Sequence, residues 1–352
     1  MQIGTYKIGV SPPMIIAEMS GNHNQSLDRA LTIVDQAAEC GAHAIKLQTY
    51  TANTITLDSN AADFVIQDIQ SPWHGANLHQ LYSQAYTPWE WHHPIMERAR
   101  DKGILCFSSP FDESAVDFLE NLAVPAYKIA SFELTHLPLI RKVAATGKPM
   151  ILSTGMASIE EIDRAVKTAR AAGNKDLALL KCTSTYPASP VNCNLRTLPH
   201  LRDAFDCHVG LSDHTMGVGV SVAAIALGAV IIEKHFTLDR NDGGVDSSFS
   251  MEPEELKALV AETERAWLSL GKITYGPTAI ELKSLMLRRS LYVAEAMTAG
   301  EVLTDVNLRC VRPGHGLDPK YFDLVMGKQV VCDVAAGTPL GWQHLTQSID
   351  KI

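Results

Sequence analysis

Short apolar runs recur along the first 271 residues. Each closes on a polar or charged side chain, and a segment of helical spacing follows. The runs are Met14–Ala17, Ala42–Leu47, Ile104–Phe107, Ala126–Ala130, Met150–Leu152, Leu177–Lys181, Cys207–Leu211 and Val230–Ile232. Runs of this kind read as strands buried on both faces, as in a parallel sheet. The segments between and after them, Ser26–Cys40, Thr87–Lys102, Asp112–Leu122, Leu137–Thr146, Ser158–Ala172, Leu195–Phe205, Gly219–Leu227 and Pro253–Leu270, read as helices. Ser158 with Glu161 makes a capping box, and Gly41 stops the first helix. Eight strands, each followed by a helix, predict an α/β chain whose residues 1–271 form a (β/α)8 TIM barrel. Residues 2–10 read as a hairpin over the barrel floor. Residues 49–87 are a polar and aromatic insertion, long enough for a binding loop or lid.

The pattern changes after Gly271. Residues 272–284 read as a linker, and 285–352 as a small β-rich domain of short strands and turns. A core that small is marginal alone, so the domain is expected to dock on its own barrel or a partner's.

Reactive side chains of a barrel enzyme come from the C-terminal ends of its strands. Glu18, Lys46, Ser108, Lys128, Ser153, Thr183, His214 and His235 all fall there. Two sequential strands end in histidine, one through Ser212-Asp213-His214 and the other through Glu233-Lys234-His235. Two imidazoles among carboxylates and hydroxyls, with no cysteine close in sequence, suit Mn²⁺, Co²⁺, Mg²⁺ or Zn²⁺ acting on a carbonyl oxygen. The alternative is two packed core histidines. Lys46 and Lys128 lie inside apolar runs, and a buried lysine needs an anion. That anion is an internal partner (Glu18, Glu133 or Glu233) or a bound phosphate and carboxylate, with hydroxyls from Ser131, Ser153, Thr183 and Ser212. A strand lysine could instead be a Schiff-base nucleophile, making the chain an aldolase-type lyase without a metal. Glu18, Glu133, Glu233 and Asp246 are the acid/base candidates. Asp246 reaches a sugar or is a solvated loop acid. Trp73, Trp89 and Trp91 stack on a sugar or simply pack.

Charge and cysteine use narrow the partners. Lys+Arg 30 against Asp+Glu 39 leaves −9, with no basic stripe, which argues against nucleic acid. An anionic substrate must then be held by local groups. Seven scattered cysteines without close pairs read as reduced thiols of a cytoplasmic protein. No apolar leader opens the chain, and no run reaches membrane-spanning length.

The segments IIAEMSGNHNQS, AIKLQTY, CFSSPFDESAVDFL, YKIASFEL, ILSTGMAS, KCTSTYPA, VGLSDHT and IEKHFTLDR, in this order, resemble the sialic acid synthase family. The tail segments RRSLYVA, GEVLTDVNL and VRPGHGL resemble that family's SAF (antifreeze-like) domain. Within the family, TPWEWH, ILCFSSPF, YKIASFE, KCTSTYP and DSSFS are most similar to the pseudaminate-forming branch. The neuraminate-forming branch usually has Gly where Phe132 stands and Pro-Asp-His where Val245-Asp246-Ser247 stand.

The resemblance implies a phosphoenolpyruvate-dependent transferase. A 6-deoxy diacetamido altrose would be condensed to pseudaminic acid, with phosphate released by C–O cleavage. The alternative is a manno-configured sugar, giving legionaminate or neuraminate. It also implies that His214 and His235 hold the metal, most often Mn²⁺, with Mg²⁺ or Co²⁺ as substitutes. Lys46, Lys128, Ser131, Ser153, Thr183 and Ser212 would hold phosphoenolpyruvate. Glu18, Glu133 and Glu233 would be the catalytic carboxylates, and Tyr186 and Asp246 sugar contacts. It implies a domain-swapped homodimer in which Arg312 reaches the other subunit's pocket. A non-catalytic sugar-binding protein is the remaining alternative, and it has no need of two strand-end histidines and two buried lysines.

Overall fold

The computed structural model describes residues 1–69, 71 and 73–346. The chain separates into two compact units, Met1–Gly271 and Lys272–Ile352. In the first, eight parallel strands close into a barrel in the order β8-β1-β2-β3-β4-β5-β6-β7. They are β1 (Met14–Glu18), β2 (Ala44–Thr49), β3 (Leu105–Pro110), β4 (Tyr127–Ile129), β5 (Met150–Ser153), β6 (Leu177–Cys182), β7 (His208–Ser212) and β8 (Ile231–His235). The helices are α1 (Leu27–Glu39), α2 (Trp89–Asp101), α3 (Glu113–Asn121), α4 (Leu137–Ala145), α5 (Ile159–Ala171), α6 (Thr197–Phe205), α7 (Gly219–Ala226) and α8 (Pro253–Leu270). This is the TIM-barrel architecture that the alternation predicts.

Local chemistry sets the helix starts. The Ser26 side chain accepts from Arg29 N at the head of α1. Ser158 and Glu161 close the expected capping box on α5. Apolar faces such as Ile33, Val34 and Ala37 of α1 are fully buried in the barrel core. The N-terminal hairpin, Gln2–Ile3 with Tyr6–Lys7, lies at the strands' N-terminal ends. There Gly4 abuts Leu105 and Gly9 abuts His208. The opposite end, with the strand C-termini, is left to the functional loops.

Two strands outrun their apolar patterns. β2 and β3 stay paired through Leu47–Ser108, Gln48–Ser109 and Thr49–Pro110. Polar residues continue the ladder there because their side chains find partners at the barrel mouth. The described residues of the 49–87 insertion include two short α-helices, Ala52–Ile55 and Leu78–Ala85, a 3₁₀ turn at Ala62–Phe64, and a bridge that pairs Val65 with Asn77. The β1–α1 loop holds Ser20, Asn24 and Gln25 at φ 46°, 50° and 55°. Left-handed backbone at such residues is uncommon and clusters near functional sites.

The second unit pairs β9 (Ser290–Val293) with β10 (Leu308–Val311) and adds isolated bridges such as Met297–Val334 and Val330–Leu345. It has its own small core, including Leu291, Val293, Leu308 and Leu340. A 3₁₀ helix, Glu281–Leu287, crosses the expected linker boundary at 284/285. Residues 347–352 of the expected domain lie outside the described residues. Among the described residues, no helix is long and apolar enough to cross a membrane.

Gly210 of β7 shows how tightly the barrel is filled. A Cβ there would lie 2.4 Å from the Ile231 carbonyl oxygen of β8 and 2.6 Å from Leu180 Cδ2 of β6. A strand backbone cannot swing aside as a side-chain tip can. Gly210→Ala is therefore expected to destabilise the barrel by about 1–3 kcal/mol, measured by urea unfolding.

Candidate active site

Four buried charges meet at the barrel mouth. Lys46 Nζ lies 2.6 Å from Glu18 Oε2 and 3.9 Å from Glu233 Oε2. Lys128 Nζ lies 3.5 Å from Glu233 Oε1. All four residues are at most 5 % exposed. Lys46 also donates to Ser109 Oγ (3.2 Å), and Lys128 to Ser153 Oγ (2.7 Å). Ser212 donates to Glu233 Oε1 (3.0 Å), and Gln48 to Glu18 Oε1 (3.0 Å). Burial raises the pKa of Glu18, Lys46 counteracting it in part. Burial also works against a charged Glu233, but Lys128 and then Lys46 hold its carboxyl below the usual range. Burial lowers Lys128, with Glu233 opposing. Glu133 Oε2 and Glu233 Oε2 are buried without a hydrogen-bond partner, whereas Glu18 Oε2 is taken by Lys46. Unfilled acceptor oxygens in a buried site call for a hydrogen-bond donor from water or a bound ligand, and the two ammonium groups beside them are the only groups of the cluster suited to anionic oxygens.

The sequence reading was one residue out on β3. Ser108 faces the helix layer, where its Oγ lies 2.6 Å from Thr49 Oγ1, itself 2.8 Å from His92 of α2. Ser109 is the residue beside Lys46. A strand alternates faces at every residue, so a shift of one exchanges pocket for packing. The same rule divides Glu233-Lys234-His235. Glu233 faces the site, whereas Lys234 turns away and pairs with Asp213 at 3.1 Å.

Beyond the strands, Ser131 and Ser184 converge on Gly155. A Cβ on Gly155 would lie 2.5 Å from Ser131 Cβ and 2.6 Å from Ser184 Oγ. Glycine is needed for this close approach, which brings the loops after β4, β5 and β6 together. Thr183 contributes differently from the expected hydroxyl role. Its Oγ1 donates to the Asn192 carbonyl (3.4 Å), and its own carbonyl accepts from His214 Nδ1 (2.9 Å).

That last bond leaves His214 Nε2 as the basic nitrogen. The His214 and His235 rings are 5.3 Å apart. Burial holds His235 well below the usual imidazole range, with His214 adding to the effect, so the ring is held neutral. Its Nδ1 has no hydrogen-bond partner, and the nearest carboxylate, Asp246 Oδ2, is 3.6 Å away. Among the described residues, no group of three His, Cys, Asp or Glu side chains could hold a metal ion. The two imidazoles are by themselves a donor set for a divalent ion only if water or substrate oxygens complete the shell. The fold also brings a thiol close, with Cys182 Sγ 3.9 Å from His214 Nδ1.

An aromatic wall stands beside the histidines. Tyr186 lies 4.4 Å from His214, and Phe249 lies 5.1 Å from both His235 and Tyr186. Trp73 of the insertion sits 6.0 Å from Tyr186, and its indole donates to the Val245 carbonyl at 3.0 Å. Trp89 stacks on Phe118 and Trp91 meets His23 edge-on, so these two pack. Asp246 is 8 % exposed and accepts from Ser20, which overturns its reading as a solvated loop acid. Ser20 in turn accepts from Gln48 (3.0 Å), linking β1, β2 and the loop after β8.

The comparisons agree with this geometry. The NeuB family profile matches residues 33–275, and the SAF domain profile matches residues 288–346. The chain belongs to the NeuB family. It is 42% identical to a pseudaminic acid synthase of Campylobacter jejuni over 97% of this chain and 98% of that protein. It is 36% identical to an N,N'-diacetyllegionaminic acid synthase of Legionella pneumophila, over 94% of each chain. Among solved structures, the N-acetylneuraminic acid synthetase of Leptospira borgpetersenii, in complex with citrate, aligns with a TM-score of 0.72 and 34% identity. That alignment covers 81% of this chain and 94% of the other.

In this NeuB-family barrel Glu18, Lys46, Lys128, Glu233, His214 and His235 lie at one mouth, while Ser108 of the expected strand-end residues faces the helix layer. Phe132, used to separate the branches, is 61 % exposed there. Arg312 lies in the second unit just after β10 and makes no ion pair among the described residues. Sequence reasoning missed Gln48, Ser109, Ser20, Cys182 and Phe249. Only the period-two rule could have found Ser109 and Gln48, as the second residues after Phe107 and Lys46.

Glu133 provides a pH test. Burial raises its carboxyl to about 7, with Lys128 and Lys46 pulling the other way. A folded-state pKa above the unfolded one favours the fold while the group stays protonated. That stability is complete below the unfolded value of 4.5 and is lost as pH rises through about 7. Glu133→Gln should therefore be more stable than the parent above pH 7, and the difference should vanish in acid. Thermal unfolding across the pH range checks this.

Proposed function

We propose that this protein condenses phosphoenolpyruvate with an open-chain 6-deoxy diacetamido altrose to give pseudaminic acid and phosphate. The observation that carries the reading is the pairing of two sites along β8. Glu233 belongs to the two-lysine cluster and His235 to the imidazole pair, and the two lie on the same face of one strand. An anionic donor held at the first site lies beside an aldehyde held at the second. The likeness to the Campylobacter enzyme supports the choice of sugar.

In this reading Lys46, Lys128 and Ser153 bind the phosphate and carboxylate, with Ser131 and Ser212 as further donors and Thr183 orienting His214. The methylene carbon of phosphoenolpyruvate forms a bond to the aldehyde carbon. Water adds to C2, and the C–O bond to phosphate breaks, leaving a ketone. Glu133, raised to about 7, can give or take a proton at neutral pH. Glu18 and Glu233 hold the lysines and the attacking water. A divalent metal, Mn²⁺ by preference, bound by His214 and His235 would polarise the aldehyde oxygen. Tyr186, Asp246 and the aromatic wall orient the acetamido sugar. Lys46, 2.6 Å from Glu18, is a paired ammonium and not a free amine, which disfavours it as a Schiff-base nucleophile.

The active form in this proposal is a cytoplasmic homodimer in which Arg312 reaches the partner's barrel. Ile273, Tyr275 and Ile280, 88–94 % exposed at the start of the second unit, are apolar surface that a second copy would cover.

Two measurements test this. Phosphate release from phosphoenolpyruvate should require both Mn²⁺ and the altro sugar. Release with a manno-configured sugar instead would transfer the protein to the legionaminate or neuraminate reading. For the dimer, inactive His214→Ala and Arg312→Ala proteins should regain activity when mixed and allowed to exchange subunits, since one hybrid pocket is then intact. Absence of recovery in exchanged dimers would place Arg312 in its own subunit's pocket or in none.

A further inference from the structure

The residue preceding each histidine turns away from the pocket, and these two residues find each other. β7 ends at Ser212, opposite Glu233 of β8. One step on, the Asp213 amide still donates to the Glu233 carbonyl at 2.9 Å. This register sets Asp213 beside Lys234 and His214 beside His235. The Asp213–Lys234 ion pair is 2 % exposed at both residues. Lys234 Nζ contacts three oxygens, namely Asp213 Oδ2 (3.1 Å) and the carbonyls of Thr215 (2.6 Å) and Gly217 (3.1 Å). Asp213 Oδ1 accepts from Thr215 N (2.9 Å) and Oγ1 (2.7 Å), and Oδ2 accepts from Ser221 of α7 (2.7 Å).

We propose that the Asp213–Lys234 pair is the positioning device that sets the spacing and orientation of the two imidazoles. Every donor of the ammonium is used on the side away from the pocket, so neither residue is a catalytic group. A buried ion pair is also a poor source of stability, because desolvation offsets the attraction. What this pair does is local. It clasps the segment 215–217 to β8 just where the β7–β8 ladder has stopped, on the side opposite the Ala188 amide that donates to the His214 carbonyl at 2.9 Å. The Thr183 carbonyl fixes the His214 ring, and the clasp fixes its backbone. Of the two, only the Thr183 carbonyl bonds an imidazole directly; the Asp213–Lys234 pair touches neither ring and acts through the backbone it holds. The inference rests on the proposal that His214 and His235 hold a divalent ion.

The test is Mn²⁺ binding to the full chain without substrate, read by electron paramagnetic resonance of free Mn²⁺. The proteins are the parent, His214→Ala, Lys234→Met and Asp213→Asn. Lys234→Met leaves Asp213 with three donors, so the barrel should still fold. Cooperative thermal unfolding confirms it, and Asp213→Asn, which keeps the side-chain shape, serves as the second variant. The parent should bind Mn²⁺ saturably, and His214→Ala should not. Lys234→Met and Asp213→Asn should bind about 10- to 100-fold more weakly. Their KM for phosphoenolpyruvate at saturating Mn²⁺ should not change, because Lys46 and Lys128 are untouched. A merely structural role would lower the melting temperature and leave the affinity of the folded protein alone, and that result would overturn the inference. No saturable binding by the parent would remove the metal reading and this inference with it.

Discussion

Four charges buried in the mouth of a closed barrel are the constraint on which the rest of the first unit depends. Glu18, Lys46, Lys128 and Glu233 come from four different strands, and none reaches solvent freely. Taking ions out of water costs several kcal/mol each unless partners and hydrogen bonds restore what is lost. Here the restoration is partial. Ser109, Ser153, Ser212, Gln48 and the Lys46–Glu18 pair fill most positions, while Glu233 Oε2 has no hydrogen-bond donor. The barrel below supplies the rigidity that keeps such a cluster from relaxing. Its strands are filled with Ile, Leu, Met and Phe to near-complete burial.

The incomplete pairing explains why chemistry gathers here. A substrate bringing phosphate and carboxylate would meet two ammonium groups whose shared partner, Glu233, stands 3.5 Å and 3.9 Å away. The imidazoles sit on the same side, two residues along β8 from Glu233. Burial keeps His235 neutral and raises Glu133 to about 7, so one physical cause shifts two different groups. The rim is built differently. The β1–α1 loop, with its left-handed residues, and the 49–87 insertion meet the loop after β8 through Ser20–Asp246 and Trp73–Val245 contacts. Three separate stretches of chain therefore share one wall of the pocket.

Much of this was legible in the sequence because barrel strands declare themselves. An apolar run that ends in a lysine or histidine is costly unless that residue faces a pocket, and Lys46, Lys128, His214 and His235 all followed this logic. The reading weakened where polar residues come in pairs. Ser108-Ser109 gives no hint of which member faces in, and Glu233-Lys234-His235 reads as three functional groups until alternation removes the middle one. Cys182, distant in sequence from both histidines, came near His214 only through the closure of β6 against β7.

By itself the sequence determined the eight-fold strand–helix rhythm, the change of pattern after Gly271 and the family. Each is written in local periodicity, capping residues or contiguous motifs. Only the tertiary structure decided that Asp246 is buried under Ser20, that Trp73 joins Tyr186 and Phe249 while Trp89 and Trp91 pack, and that Asp213 closes on Lys234. These contacts join residues of different strands and loops. Their geometry follows from strand register and barrel closure, which no local stretch of sequence encodes.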